Sequence, residues 1–305
     1  MPTTYLGQNQ YGKAENRVVR ITRDGGTHHI KDLNVSVALS GDMDDVHLSG
    51  SNAHVLPTDT TKNTVFAFAK EHGIESAEQF GIHLARHFVT SQEPIKRARI
   101  RIEEYAWERI AAPGAAPAAD GGEEKRHSFV RKGQETRTTE VTFDGARWQV
   151  ISGLKDLVVL NSTDSEFWGF VKDKYTTLQE AYDRILATEV NARWRFNWTA
   201  DEQPVPQWET SYDEVRRHLL EAFAETYSLS LQQSLYTMGT RVIESRPEVD
   251  EVRLSLPNKH HFLVDLEPFG LKNDNEVYLA ADRPYGLIEG TVLRDGAEPG
   301  IPVTD

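Results

Sequence analysis

The most regular feature of the chain is strict alternation of apolar and polar residues. Leu33, Val35, Val37 and Leu39 alternate with Asn34, Ser36 and Ala38, and Ala98, Ile100 and Ile102 with Arg97, Arg99, Arg101 and Glu103. The strongest run is Val190, Ala192, Trp194, Phe196 and Trp198 against Asn191, Arg193, Arg195 and Asn197. A period of two predicts strands with one buried and one polar face, and hence an antiparallel sheet. Shorter runs at 17–22, 136–143, 252–256 and 277–281 predict further strands, with a turn at Asp24-Gly25-Gly26.

Between these runs the spacing changes to three and four. Helices are predicted near 62–72 and 76–88, the second opened by a capping box of Ser76 with Gln79. Two more bury Tyr212, Val215, Leu219, Ala222 and Phe223, then Leu231, Leu235, Met238 and Val242. Strands, two helices and strands thus occur twice. That order predicts an α+β fold from a duplicated unit, with domains at 1–150 and 151–305. The Ala-, Pro- and Gly-rich stretch 111–124 predicts a hairpin tip. Helices on one sheet face leave open edges, which pairing between subunits would close.

Composition narrows the function. The 305 residues suffice for two domains with sizeable cores, and a net charge of −13 opposes nucleic acid or an anionic membrane as partner. The absence of cysteine excludes disulfides, thiolate metal sites and cysteine nucleophiles. No apolar run approaches the roughly 20 residues of a membrane span. The first residues, Met-Pro-Thr-Thr-Tyr-Leu-Gly, show no signal pattern, and the last, Pro-Val-Thr-Asp, are not a peroxisomal address; the expectation is a soluble cytoplasmic protein.

Candidate chemistry concentrates at 255–262, Ser-Leu-Pro-Asn-Lys-His-His-Phe. Proline cannot donate to a sheet ladder, so the strand is expected to end or break at Pro257. Asn258, Lys259 and His260 then place an amide, an ammonium and an imidazole at the end of a rigid strand. Gly7–Lys13 matches most of a phosphate-binding loop, but Ala14 stands where Ser or Thr is needed and a strand follows where a helix should. His83 and His87 have the spacing of a helical metal pair without the glutamate of such sites, and are expected to cover a surface. Neither they nor the His28-His29 and His260-His261 pairs build a metal motif. Thr58-Asp59 ahead of a helix serve equally as N-caps or as an anion-receiving helix start. Phe167-Trp168-Gly169-Phe170 with Asp183-Arg184-Ile185 places an aromatic cluster near an arginine; most such clusters are core, but a flat aromatic with a guanidinium is also what a planar anionic heterocycle requires.

Together these motifs become specific. Tyr11-Gly12-Lys13, Thr58-Asp59 with Lys62-Asn63-Thr64, Phe167-Trp168-Gly169-Phe170, Asp183-Arg184-Ile185, Leu231-Gln232 and Leu256-Pro257-Asn258-Lys259-His260 occur in the order and approximate spacing of urate oxidase (uricase). Over almost its whole length the chain resembles that family. The resemblance implies two tandem tunnelling-fold (T-fold) units, each an antiparallel four-stranded sheet with two helices on one face, in a homotetramer around a tunnel. It implies oxidation of urate by O2 and water to 5-hydroxyisourate and H2O2 with no metal or organic cofactor. By the same resemblance Lys13, Thr58 and His260 form a proton relay and Phe167 stacks on the substrate ring. Arg184 and Gln232 grip its edge, Asn258 lies over the oxygen or water position, and Thr58, Asp59 and Leu231 supply main-chain contacts. The site is expected between subunits. Rival functions are a pterin or purine-nucleotide enzyme of the same fold, a non-catalytic purine binder, or a structural tunnel protein. The first would often need zinc, and the second would have no use for the relay.

Overall fold

The computed structural model describes residues 4–24, 27–110 and 127–303; the predicted hairpin tip at 111–124 and the Gly25-Gly26 turn lie outside the described residues. Two compact units emerge, one of Met1–Ser152 with Trp198–Trp208, the other of Gly153–Asn197 with Glu209–Asp305.

The first unit contains β1 (Tyr11–Asp24), β2 (Thr27–Gly41), a short α1 (Asp44–Leu48), α2 (Thr58–Glu71) and α3 (Ala77–Ser91). It continues with β3 (Ile95–Tyr105), a two-stranded ribbon of β4 (Trp107–Arg109) and β5 (Phe129–Arg131), and β6 (Thr136–Phe143). Its main strands follow the order β1-β2-β3-β6, all antiparallel. The alternation behaves as expected: Leu33, Val35, Leu39, Ala98, Ile100 and Val141 are fully buried. They form the face on which α3 packs, against β3 and β6. Glu78 in the first turn of α3 is also fully buried. It is sustained by Arg137 Nη2 at 2.7 Å, Thr139 Oγ1 at 3.1 Å and Ser152 Oγ at 2.5 Å, the paired and hydrogen-bonded condition that a buried charge requires.

Strand β7 (Trp148–Asn161) begins in the first unit and ends in the second. It carries no long alternating run, and pattern reading missed it: Val150, Ile151 and Leu154 are buried, so both faces are apolar in part. The second unit adds β8 (Leu186–Phe196), α4 (Trp208–Glu225), α5 (Leu231–Ser245), β9 (Val249–Leu263) and β10 (Tyr278–Leu293), with β8-β9-β10 antiparallel. Val190, Ala192, Trp194 and Phe196 are buried on one face, and Val215, Leu219, Leu235, Met238 and Val242 supply the helical side of the core. A fully buried Glu251 on β9 accepts from Arg195 Nε at 2.8 Å and from the amides of Gly300 and Ile301 at 2.7 and 3.1 Å, which anchors the C-terminal segment.

Two expectations are met only in part. Strand β9 does not stop at Pro257 but runs to Leu263. On the β8 side the paired residues jump from Asn191↔Ser255 to Thr188↔Asn258, leaving Pro257 in the gap, where its carbonyl accepts from Thr188 Oγ1 at 2.9 Å. The missing N–H therefore falls where no ladder bond is demanded. The capping box at Ser76 is only half formed: Ser76 Oγ accepts from Gln79 N at 3.0 Å, but the Gln79 amide turns to His83 Nε2 at 3.2 Å. Among the described residues no helix is long and apolar enough to cross a membrane.

Candidate active site

In the first unit, Lys13 lies on β1 directly opposite Val37 of β2. Opposed residues share a sheet face, so Lys13 is on the buried-valine side, the side of the helices. The pairing slips just beyond it, between Lys13 and Asn16, where Glu15 takes φ 57° and Asn16 Nδ2 bonds Val35 O at 3.1 Å. Gly12 is required by proximity: a Cβ there would come within 1.8 Å of Val37 O. Tyr11 ties this strand start to the approach of α2. Its hydroxyl donates to Leu56 O at 3.1 Å and accepts from Leu56 N at 3.0 Å, and burial raises its pKa.

Thr58 and Asp59 open α2, but neither is its cap. Pro57 occupies that position, with no side-chain capping bond. The amides of Thr60 and Thr61 return to Pro57 O, and Thr61 Oγ1 donates to Thr58 O at 2.7 Å. The first amides of a helix have no acceptor within it, so those of Thr58 and Asp59 face outward. The Asp59 carboxylate is engaged by Lys62 Nζ at 2.5 Å and Asn63 Nδ2 at 3.2 Å. Its pKa is lowered by the Lys62 hydrogen bond and charge first, with a contribution from Lys13. Lys13, Thr58 and Asp59 thus share one locality, built from a strand start and a helix start.

In the second unit the aromatic-guanidinium pair is real, and it is not core. Phe167 bridges Ala181 through two backbone bonds of 2.7 and 2.9 Å, and its ring stacks on Phe170 with centroids 5.1 Å apart. The Arg184 guanidinium carbon stands 5.1 Å over the Phe167 ring, and Arg184 Nε donates to Ser165 Oγ at 3.1 Å. Burial lowers the Arg184 pKa, although the guanidinium stays charged at any working pH. Ser165 also pairs in parallel with Ser228, and Glu166 N donates to Ser228 O at 2.8 Å. Ser228 leads into α5, whose cap Ser230 accepts from Gln233 N at 3.1 Å. This brings Phe167 and Arg184 beside the start of α5, where Leu231 is buried and Gln232 exposed.

On β9, Asn258 opposes Gly286 and Thr188, and His260 opposes Ala281. Because β9 continues through Pro257, alternation places Asn258 and His260 on the face of Leu254 and Leu256, with Lys259 on the other. Lys259 is occupied by Glu189 at 2.8 Å, and His260 stacks on Phe262 at 5.7 Å. The His260 pKa is lowered by burial, then by the positive charge of Arg184 and by His261. His260 therefore belongs to the same electrostatic neighbourhood as Arg184, which favours its neutral form.

Pattern reading did not single out Ser165, Ser228 or Glu189; serine and glutamate carry no periodic signal, and their partners are 19, 63 and 70 positions away. Tyr11 was within a quoted motif, yet its role as a strut appears only with Leu56. The His83 ring stacks on His72 at 5.0 Å and His87 packs edge-on to Phe68 at 4.8 Å, so both are half-buried and cover neighbouring side chains. Among the described residues, no group of three or more His, Cys, Asp or Glu is arranged to hold a metal ion. Cavities of about 460 Å³ at residues 236–245 and about 550 Å³ at residues 263–273 contain none of the predicted site residues.

Comparison with known proteins gives a consistent result. The family model described as Uricase matches residues 9–142 and 150–289. A uricase from Arthrobacter globiformis is 49% identical over 298 residues, covering 98% of this chain and 93% of that protein. A uricase from Danio rerio is 37% identical over 286 residues, covering 93% of each. The crystal structure of the Arthrobacter globiformis uricase superposes with a TM-score of 0.89 at 48% identity, covering 99% of both chains. A Bacillus sp. TB-90 urate oxidase gives 0.77 at 22% identity over 94% of this chain and 100% of that one, a likeness of fold.

Proposed function

The chain belongs to the uricase family, and from that premise we propose that it is a urate oxidase converting urate, O2 and water to 5-hydroxyisourate and H2O2. Two electrons and two protons leave the substrate for O2, and the elements of water enter the product, so the atoms balance without an added redox group. The Arg184–Phe167 stack carries the substrate assignment. A planar anion is met by an aromatic face and by a guanidinium whose orientation Ser165 sets. Gln232 completes the edge recognition with one donor and one acceptor, and Asn258 holds the oxygen or water. The outward first amides of α2, at Thr58 and Asp59, and the backbone of Leu231 supply main-chain contacts.

Proton removal falls to Lys13, Thr58 and His260. A hydroxyl between an amine and a neutral imidazole passes a proton in either direction, and the lowered His260 pKa suits the accepting end. Further deprotonation makes urate electron-rich enough to reduce O2 directly. Lys13 and Thr58 of one subunit meet Phe167, Arg184 and His260 of another in a homotetramer of tandem T-fold units (1–150 and 151–305) enclosing a tunnel. Its setting is the cytoplasm and purine breakdown. The test is loss of urate ultraviolet absorbance with one H2O2 formed per urate consumed. Full activity is expected after exhaustive chelation without added flavin. Absence of turnover, or a chelated enzyme revived by one metal, would overturn the proposal.

A further inference from the structure

The face of the first unit's sheet opposite its helices carries a second polar cluster that the proposed reaction does not use. Arg97, Arg99 and Arg101 recur at every second position of β3, which places all three on that face. Arg101 is paired, its Nε donating to Glu140 Oε2 at 2.7 Å. Arg99 is not: only its Nη2 has a described partner, Gln10 Oε1 at a long 3.4 Å, and its buried Nε meets no acceptor. Directly across the ladder, Arg99 opposes Thr142 of β6. Thr142 is 7% exposed, and its Oγ1 also has no hydrogen-bond partner. Side chains directly opposed on antiparallel strands have Cβ atoms about 5 Å apart, so the two groups share one spot.

Leaving the Nε of a half-exposed guanidinium and a neighbouring hydroxyl buried without partners is costly, and such atoms in folded proteins are answered by a ligand or solvent. A guanidinium cannot relieve the cost by losing its proton. Burial already lowers the Arg99 pKa, as do Arg101 and Arg97, while Glu140 opposes them. The nearest carboxylate, Glu140, is committed to Arg101. The neighbours on β2, Ala38 opposite Arg99 and Ser36 opposite Arg101, bring no charge.

We propose that Arg99 and Thr142 form a binding site for a small oxyanion, separate from the urate site, with Arg97 adding to its positive field. The guanidinium supplies a charge-assisted donor and the threonine hydroxyl a second one, the pairing that phosphate or a carboxylate selects. The same chemistry could come from free anion or from a carboxylate of a second copy of the chain.

Calorimetric titration of inorganic phosphate into the intact protein, at constant ionic strength, separates these outcomes. Saturable binding of one phosphate per chain is expected, weakened about tenfold or more by Arg99→Gln and by Thr142→Val, as the loss of a hydrogen bond to a charged group implies. Arg184→Gln should leave it intact, which distinguishes this site from the urate site. Thr142→Val nearly conserves volume and decides alone if Arg99→Gln does not fold. No binding to the wild type, binding unchanged in both variants, or binding lost in Arg184→Gln would overturn the proposal. So would a wild type that takes no phosphate while Arg99→Gln alters its sedimentation, the sign of a carboxylate from a second copy.

Discussion

The proposed relay residues of the first unit and the proposed substrate grip of the second are held by different means. Lys13 and Thr58 stand near the beginnings of a strand and a helix, and one tyrosine strut, Tyr11 to Leu56, links the two elements. Phe167 and Arg184 instead sit on irregular chain between β7 and β8. Two isolated bridges, Phe167↔Ala181 and Ser165↔Ser228, and one serine hydroxyl hold them. A group that must pass a proton tolerates little displacement, so it gains from rigid elements. A group that grips a flat ring can be placed by a loop, provided that each turn of the loop is tied down. The first locality should therefore govern turnover and the second affinity.

The sharpest way to break this contrast is Lys13→Met, which keeps the stem and removes the proton carrier. Turnover should fall by about 10²- to 10⁴-fold with little change in KM, and the pH profile should change shape. Steady-state kinetics with an unaltered kcat and profile would place the relay elsewhere.

Next comes the pair Arg184→Ala and His260→Ala. The arginine contact exists in the ground state, so its loss should raise KM by about 10- to 100-fold, as expected for a charge-assisted bond. His260→Ala should lower kcat more than it raises KM. The reverse ordering would exchange the two roles.

Smaller effects sharpen the comparison further. Ser165→Ala removes the anchor of Arg184 and should raise KM roughly fivefold, about 1 kcal/mol, while leaving kcat nearly intact. Tyr11→Phe removes the strut in the first unit and should lower kcat by a similar factor at constant KM. Kinetics showing both variants acting on the same parameter would erase the distinction.

The subtlest test is a shift in pH dependence. His260 is held below the ordinary imidazole pKa by burial first and by Arg184 and His261 next, so it becomes protonated only at lower pH than a free imidazole. Protonation would remove the acceptor, and activity should decline on that acid side. Arg184→Gln removes a positive charge that disfavours the imidazolium, so the His260 pKa rises and the acid limb of kcat/KM should move to higher pH. A limb that stays in place or moves lower would separate His260 from Arg184.

Much of this was already legible along the chain. Alternation at 33–39, 98–102 and 190–196 determined which sheet faces are buried, and three-and-four spacing placed the cores of the paired helices, because both periods are local consequences of backbone geometry. The resemblance motifs named Lys13, Thr58, Phe167, Arg184, Gln232 and His260 as candidates before any contact was known. Tertiary structure alone decided how β9 passes Pro257, since only the register against β8 leaves a gap there for a residue without an N–H. It alone brought Ser165 beside Ser228 and set Arg99 across from Thr142, at separations of 63 and 43 residues. Such pairs depend on strand register and on where a loop returns, and neither leaves a periodic trace in the order of amino acids. What the sequence determined was the faces and the chemical groups; what folding decided was which of those groups meet.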